Sequence, residues 1–295
     1  MRVLRNLWND KLGMTALLVA AATQLAGICA PWLAPHDPLA VNMKLRYASP
    51  SWSHWLGNDQ LGRCLLSRLL YGIRPSVLWV MLALIVSVAI GALVGFAAGF
   101  FRGWVDAALM RICDVMLAFP GYVMTLAIVG MLGPGLDNIL IAFAAMKWPW
   151  FARVIRTSVL QYSDSDYIKF ARLSGSGPLR IIRKHLFPVA FADVAVLSSS
   201  SLGSMILQVS GLSFLGLGIQ APHAEWGMML SEASEVMFTR PEPMLAPGLA
   251  VIVVVSAFNF LADTLQTALD PKLISSGKKQ RQREVEAVAY EYTRG

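Results

Sequence analysis

Histidine and cysteine are the residues of this sequence best suited to bind a metal or to act as nucleophiles. The 295 residues include four histidines and three cysteines. His36, His54 and His223 are far apart, and no two of them have the i, i+4 spacing that places two ligands on one helix face. The cysteines form no CxxC pair. We therefore interpret the three histidines as loop residues and predict that the chain itself holds no metal and no cofactor.

Patterns typical of enzymes are also missing from the sequence. No nucleophile stands in a recognisable pattern with a base, and no two carboxylates are spaced for acid–base catalysis. The chain has no GxxxxGK[ST] phosphate-binding loop. Its glycine-rich run, residues 211–218, has no lysine, and we interpret it as a close helix contact or a bend. We predict that the chain is not an enzyme.

Five polar residues lie within or beside long apolar segments, where polar groups often mark a transport path. They are Asp193, Ser200, Gln208, Asn259 and Asp263. The alternative is that they form hydrogen bonds between helices, with the two aspartates close enough to the cytoplasmic surface to be hydrated. The sequence leaves both interpretations open for each of them.

The apolar segments indicate an all-α, polytopic membrane protein. Hydrophobic residues make up 56% of the chain and charged residues 15%, whereas about a quarter of the residues of a soluble domain are charged. A helix needs about 20 mostly apolar residues to cross a bilayer, and hydrocarbon cannot satisfy an irregular backbone. We predict six spans, over residues 12–36, 76–101, 115–136, 138–152, 194–216 and 244–262.

The distribution of lysine and arginine predicts that both termini are cytoplasmic. With six spans, most basic residues fall on the side of the termini, which explains the net charge of +7 without a nucleic-acid partner. The first span could be a cleaved signal peptide, but its apolar stretch is long and a proline-rich stretch follows it. We assign residues 1–11 to the cytoplasmic N-terminus, 12–273 to the transmembrane domain and 274–295 to a polar cytoplasmic tail.

Two connections are too long to serve only as turns. The outer connection covers about residues 35–75, and its glycines and aromatic residues suit an interfacial cap, a gate or a docking surface. The cytoplasmic connection covers about residues 153–188. There, Gly175 suits the end of one helix and Pro178 the first turn of a second.

The second cytoplasmic helix is predicted to be amphipathic. Three apolar residues are expected to share one of its faces: Leu179, Ile182 and Leu186. A helix pair of this kind could dock to a partner protein or lie on anionic lipid. Physical chemistry alone does not choose between these roles.

The order and spacing of these residues resemble the permease subunits of ATP-binding cassette (ABC) importers. Ala171, Gly175 and Pro188 follow the pattern of the "EAA" loop, although Lys169 stands where that family usually has glutamate. The outer loop is similar to that of the second ("C") subunit of the dipeptide, oligopeptide and nickel permeases. The matching residues there are His54, Trp55, Gly57, Asp59, Gly62, Arg63, Ser67 and Arg68. Further matches are Phe214, Gly218, Pro222, Glu225, Trp226 and Gly227, then Asn259, Asp263 and Asp270.

This resemblance, which covers about residues 1–273, implies a division of labour among several subunits in a bacterial cytoplasmic membrane. A homologous permease would form the other half of the pathway, and two cytoplasmic ATPases would use ATP and Mg²⁺. A solute-binding protein would deliver the cargo from outside. The residues expected to contact an ATPase are Lys169, Phe170, Ala171, Arg172, Leu173, Gly175, Pro178 and Pro188.

The expected cargo is nickel or a metal chelate, because residues 147–153 and 221–227 look more like the nickel branch than the peptide branch. A dipeptide or oligopeptide importer is the first alternative. A secondary transporter is the second, but it should show inverted repeats with broken helices, which we do not find. A purely structural membrane protein would not need the cytoplasmic docking loop.

Overall fold

The computed structural model describes residues 10–269, and every secondary-structure element in this range is a helix. The predicted all-α class is therefore confirmed. The helices are α1 (Lys11–Ile28), α2 (Ala30–Leu33), α3 (Leu65–Ile73), α4 (Trp79–Phe101), α5 (Gly103–Leu117), α6 (Gly121–Leu132), α7 (Leu136–Ser163), α8 (Asp166–Leu173), α9 (Pro178–Ile181), α10 (Phe187–Phe214), α11 (Trp226–Ser234) and α12 (Glu242–Leu269). The predicted tail, and Asp270 with it, lies outside the described residues.

Several helices are long and apolar enough to cross a membrane, which confirms a polytopic membrane protein. Four such stretches lie within the described residues: Lys11–Ile28, Leu65–Phe101, Pro178–Phe214 and Glu242–Leu269. Helices α5 and α6 together make a fifth candidate, bent by 78°. Helix α7 has 28 residues but is less apolar and is not among these candidates. The number of six spans thus stays a prediction.

The long helices are more continuous than the hydropathy pattern indicates. Helix α3 passes through a π-helical turn, Arg74–Leu78, directly into α4. On the other side, α9 passes through a second π-helical turn, Ile182–Leu186, into α10. The two long helices therefore begin within the predicted connections. Hydropathy locates only the apolar part of such a helix and misses its polar end.

A stripe of glycines on α4 brings α4 and α7 into close contact. Gly91, Gly95 and Gly99 are four residues apart and share one helix face. A Cβ added to Gly95 would lie 2.6 Å from the carbonyl oxygen of Ala152, and one added to Gly91 would lie 2.6 Å from Cβ of Phe151. Small residues of this kind let two backbones approach and pack in a membrane.

Helix α1 is held at both of its ends. Near its start, the hydroxyl of Thr264 on α12 donates to Oδ2 of Asp10 over 3.1 Å. At its other end, the guanidinium of Arg74 donates to the carbonyl oxygens of Gly27 and Ile28, over 2.9 and 3.0 Å. The start of α1 and the end of α12 therefore lie on one side of the bundle.

Candidate functional sites on the two faces of the bundle

A Schellman motif ends α8, in the segment between α7 and α10. Gly175 has φ +75°, and its N–H donates to the carbonyl of Arg172 over 3.0 Å. The N–H of Ser176 donates to the carbonyl of Ala171 over 3.0 Å, which completes the motif. An added Cβ on Gly175 would meet nothing within 4 Å, so the positive φ is what favours glycine. Pro178 then opens α9, and the predicted helix–Gly–Pro arrangement is present.

Helix α8 buries one side and exposes apolar side chains on the other. Ile168 and Ala171 are buried in a cluster that includes Ile155 of α7. Phe170 and Leu173, in contrast, are 71% and 86% exposed. Burying one large apolar side chain contributes about 1.5–3 kcal/mol, so Ile168 anchors the helix while the exposed pair remains available to a partner.

The predicted apolar face of the second cytoplasmic helix was wrong for Leu179, which is 78% exposed. Ile181 and Leu186 are the buried residues, and Ile182 is partly buried. The π-helical turn adds one residue to the helix turn, so side chains five positions apart point to the same side. A periodicity of 3.6 residues cannot reveal this shift.

The other predicted docking residues surround this exposed surface. The ammonium of Lys169 lies 3.3 Å from the carboxylate of Asp166, and both are solvent-exposed. The guanidinium of Arg172 lies over the ring of Phe100, 5.5 Å from its centroid. Pro188 lies in the first turn of α10. An open cleft of about 740 Å³ beside α9 is lined by Leu179 and three basic residues: Arg180, Arg183 and Lys184.

On the outer face, four charged side chains form a buried cluster, here called the outer ion cluster. Nη2 of Arg63 and Nη2 of Arg68 each lie 2.9 Å from the same oxygen, Oε2 of Glu232. The second carboxylate, Asp59, lies 2.6 Å from Nε of Arg63 and 3.4 Å from Nε of Arg68. Both arginines are fully buried, and two positive charges face two negative ones. A buried cluster of this kind is tolerated only when its charges are paired in good geometry.

Two glycines shape the loop that carries two of these charges, Asp59 and Arg63. Gly57 and Gly62 have φ +75° and +72°. A Cβ on Gly62 would lie 1.8 Å from the carbonyl oxygen of Asn42, and one on Gly57 would lie 2.5 Å from the carbonyl oxygen of Ala48. Both positions therefore require glycine for two reasons, the backbone angle and the close contact.

The remaining residues of the predicted outer-loop motif lie outside this cluster. The imidazoles of His54 and His36 are stacked with their centroids 4.4 Å apart. The buried hydroxyl oxygen of Ser67 accepts the backbone N–H of His36 over 3.1 Å. Trp55 is 67% exposed. His223 lies elsewhere on this face, and among residues 10–269 no group of three His, Cys, Asp or Glu side chains could hold a metal ion.

A second motif of the sequence packs against α3 and the π-helical turn that follows it. Glu225 is fully buried at the start of α11, where its carboxylate accepts the N–H of Met228 and the hydroxyl of Ser76, each over 2.9 Å. Burial raises the pKa of the Glu225 carboxyl above its ordinary value, against hydrogen bonds that lower it. The indole N–H of Trp226 donates to the carbonyl of Leu69 over 3.0 Å. We call residues 57–76 together with residues 221–234 the outer cap.

Sequence reasoning missed Glu232, although this residue joins both halves of the outer cap. Glu232 could have been singled out from the sequence, because it is one of few charges in the long segment between residues 194 and 239. A charge within an apolar segment needs a partner, and two buried arginines provide it.

The five candidate path residues are spread along α10 and α12 and do not form one cluster. Oδ2 of Asp193 accepts the hydroxyl of Ser158 on α7 over 2.6 Å. Ser200, Asn259 and Asp263 are exposed in the isolated chain, and Gln208 is partly exposed. Hydrogen bonding between helices therefore accounts for Asp193, while the other side chains are open to a solute or to a second subunit.

A bundle of apolar helices with a closed outer cap and a helix pair projecting from the opposite face defines a multi-pass membrane subunit. The chain belongs to the family described as the binding-protein-dependent transport system inner membrane component, whose model matches residues 91–275. It is therefore a permease subunit of an ABC importer in a bacterial inner membrane. This membership rules out the secondary-transporter alternative.

Three relatives cover nearly the whole chain. It is 52% identical over 278 residues to the metal-staphylopine import system permease protein CntC of Staphylococcus aureus, covering 94% of this chain and 96% of the relative. It is 39% identical over 268 residues to the nickel transport system permease protein NikC of Escherichia coli, covering 91% and 96%. It is 37% identical over 271 residues to the dipeptide transport system permease protein DppC of Alkalihalophilus pseudofirmus, covering 92% and 89%. The predicted "C" subunit of the nickel and peptide group is confirmed.

Proposed function

We propose that this chain forms one half of the import pathway for nickel, or a similar transition metal, bound to a small amino-acid-derived chelator. The observation that carries this proposal is the 52% identity to a permease named for metal-staphylopine import, over 94% of this chain. The relative named for nickel transport supports the same class of cargo. A relative named for dipeptide transport is 37% identical, and a peptide cargo is the second candidate.

In this proposal, different partners bind the outer and the cytoplasmic face of the bundle. A homologous permease completes the pathway, and a solute-binding protein delivers the chelate to the outer cap. Two ATPases on the cytoplasmic side bind ATP and Mg²⁺, while this chain holds neither. The outer ion cluster supports the outer docking role because it fixes the cap as one body, which lowers the ordering cost of binding.

The coupling segment, residues 164–188, is the proposed contact with an ATPase. Phe170, Leu173 and Leu179 are exposed apolar side chains on a helix pair outside the two long helices that flank it. Exposed apolar side chains beside basic ones are typical of a surface that a partner covers. Ile168 and Ile181 anchor the pair to the bundle, so movement of a bound ATPase is transmitted to α7 and α10.

Uptake of labelled cargo tests the proposed transport. The complete importer, with its solute-binding protein, would be reconstituted in vesicles with ATP on the ATPase side. We expect ATP-dependent uptake of chelated ⁶³Ni²⁺ that a large excess of dipeptide does not reduce. ATP-dependent uptake of a dipeptide, with no uptake of nickel in any form, would replace the metal-chelate proposal by the peptide alternative.

A further inference from the structure

Lys147 is a cation of α7 without an acidic partner among the described residues. The two arginines further along the same helix are paired, Arg153 with Asp114 and Arg156 with Asp106. In residues 10–269, no carboxylate lies within 4.0 Å of the Lys147 ammonium. Its nitrogen instead lies 5.9 Å from the centroid of the Phe143 ring. The side chain is partly exposed in the isolated chain.

Two contacts fix the depth of Lys147 in the bundle. At the outer end of α7, the N–H of Gly135 donates to the carbonyl of Leu217, just beyond α10, over 2.9 Å. At the cytoplasmic end, Ser158 of α7 donates to Asp193 of α10. Lys147 lies midway between Leu136 and Ser158, about 16 Å from each at 1.5 Å per residue. This position also falls within the predicted span over residues 138–152.

A stripe of polar side chains lies at the same depth on α10. The two contacts make α7 and α10 antiparallel neighbours, and Ser204 lies about midway between Asp193 and Phe214. Ser200, Ser204 and Gln208 are four residues apart, so they share one face of α10. Ser200 and Ser204 are exposed, and Gln208 is partly exposed. Among the described residues, the middle of the bundle thus carries a cation without an acidic partner on α7 and a polar face on α10.

We propose that Lys147 is a specificity-determining residue that attracts an anionic cargo to the middle of the membrane. The class of cargo is a metal chelate whose carboxylates outnumber the charges of the metal ion. An intramembrane cation without a counterion is costly, and it is retained where it has a functional partner. Its charge favours a carboxylate-rich complex and repels a free divalent metal ion. This inference rests on the proposed metal-chelate function.

The test varies the charge of the cargo and of residue 147 in the complete reconstituted importer. ⁶³Ni²⁺ would be supplied as the free ion, as the neutral bis-histidine complex and as the anionic nitrilotriacetate chelate. The variants are Lys147→Met, which removes the charge, and Lys147→Arg, which retains it. Ile141→Met is the matched control, because Ile141 is an exposed side chain on the same helix.

We expect Lys147→Met to lower the uptake of the anionic chelate by about tenfold relative to the neutral complex. Lys147→Arg should stay within about threefold of wild type, and Ile141→Met should equal it. An equal loss for all three forms of nickel would overturn the specificity role. Wild-type uptake limited to the free ion or the neutral complex would also overturn the specificity role. Absence of ATP-dependent uptake of every nickel form by wild type would remove the proposed function, and this inference with it.

Discussion

Replacing Glu232 by glutamine is expected to loosen the outer cap without unfolding the membrane helices. The Glu232 carboxylate is shared by Arg63 and Arg68, each 2.9 Å from the same oxygen. Glutamine has nearly the same shape but no charge. The two buried guanidinium groups would then share only Asp59, leaving one positive charge uncompensated in the cap.

The magnitude follows from the burial of the cluster. Removing one partner of a buried ion pair costs about 3–5 kcal/mol. The side chain of Glu232 retains 12% exposure, so we use the lower limit, about 3 kcal/mol. Since 1.36 kcal/mol corresponds to a factor of ten, amide hydrogen exchange in the cap should become about 100-fold faster.

Hydrogen exchange of the purified permease in lipid nanodiscs, followed by mass spectrometry, measures this effect. The peptides to compare are those covering residues 57–68 and 226–234, with α4 as an internal reference that should not change. Glu235→Gln is the matched control, because Glu235 is exposed at the end of the same helix. If Glu232→Gln exchanges within about threefold of wild type in both peptides, the cluster does not hold the cap together.

Two further predictions concern packing and titration. Gly95→Leu should destabilise the bundle by about 1–3 kcal/mol or more, because its Cβ would lie 2.6 Å from the Ala152 carbonyl oxygen. The thermal midpoint of the purified permease in detergent should therefore fall. Gly130→Leu is the control and should leave this midpoint nearly unchanged, because a Cβ at Gly130 meets nothing within 4 Å. Burial raises the pKa of Glu225, so folding favours its protonated form. This contribution to stability is complete below the ordinary glutamate pKa of about 4.3 and is lost as the pH rises through the raised value. A pH series of thermal midpoints should therefore fall more steeply for wild type than for Glu225→Gln, and parallel curves would contradict this role of burial.

The membrane class and the position of the cytoplasmic helix pair could be predicted from the sequence because both depend on local patterns. A long apolar run crosses a bilayer as a helix, and Gly175 followed by Pro178 is a local signal for a helix end and a helix start. The ends of the long helices could not be located in this way. Polar residues before Leu78 and Phe187 continue the same helices, and polarity alone cannot tell such an extension from a loop.

Only one half of the outer cap could be predicted from the sequence, because its two halves are far apart along the chain. The motif with Asp59, Arg63 and Arg68 is visible in the sequence, but its counterion Glu232 lies more than 160 residues further along the chain. Only the fold brings them together, and no spacing rule connects them. Leu179 and Ile181 show the same limit on a small scale, because the π-helical turn that follows them aligns Ile181 with the buried Leu186 and leaves Leu179 exposed.

Retention of the ATPase subunits by Leu173→Asp permease tests the central claim, that the coupling segment binds the ATPases. Leu173 is 86% exposed, so the change adds a charge to the proposed contact without disturbing the packing of α8. Phe238→Asp, at a residue 93% exposed between α11 and α12 on the outer side, is the matched control. We predict that tagged Leu173→Asp permease inserts normally but co-purifies with at most about a tenth of the wild-type amount of ATPase, while Phe238→Asp retains it fully. Full retention by Leu173→Asp would contradict the assignment of this surface.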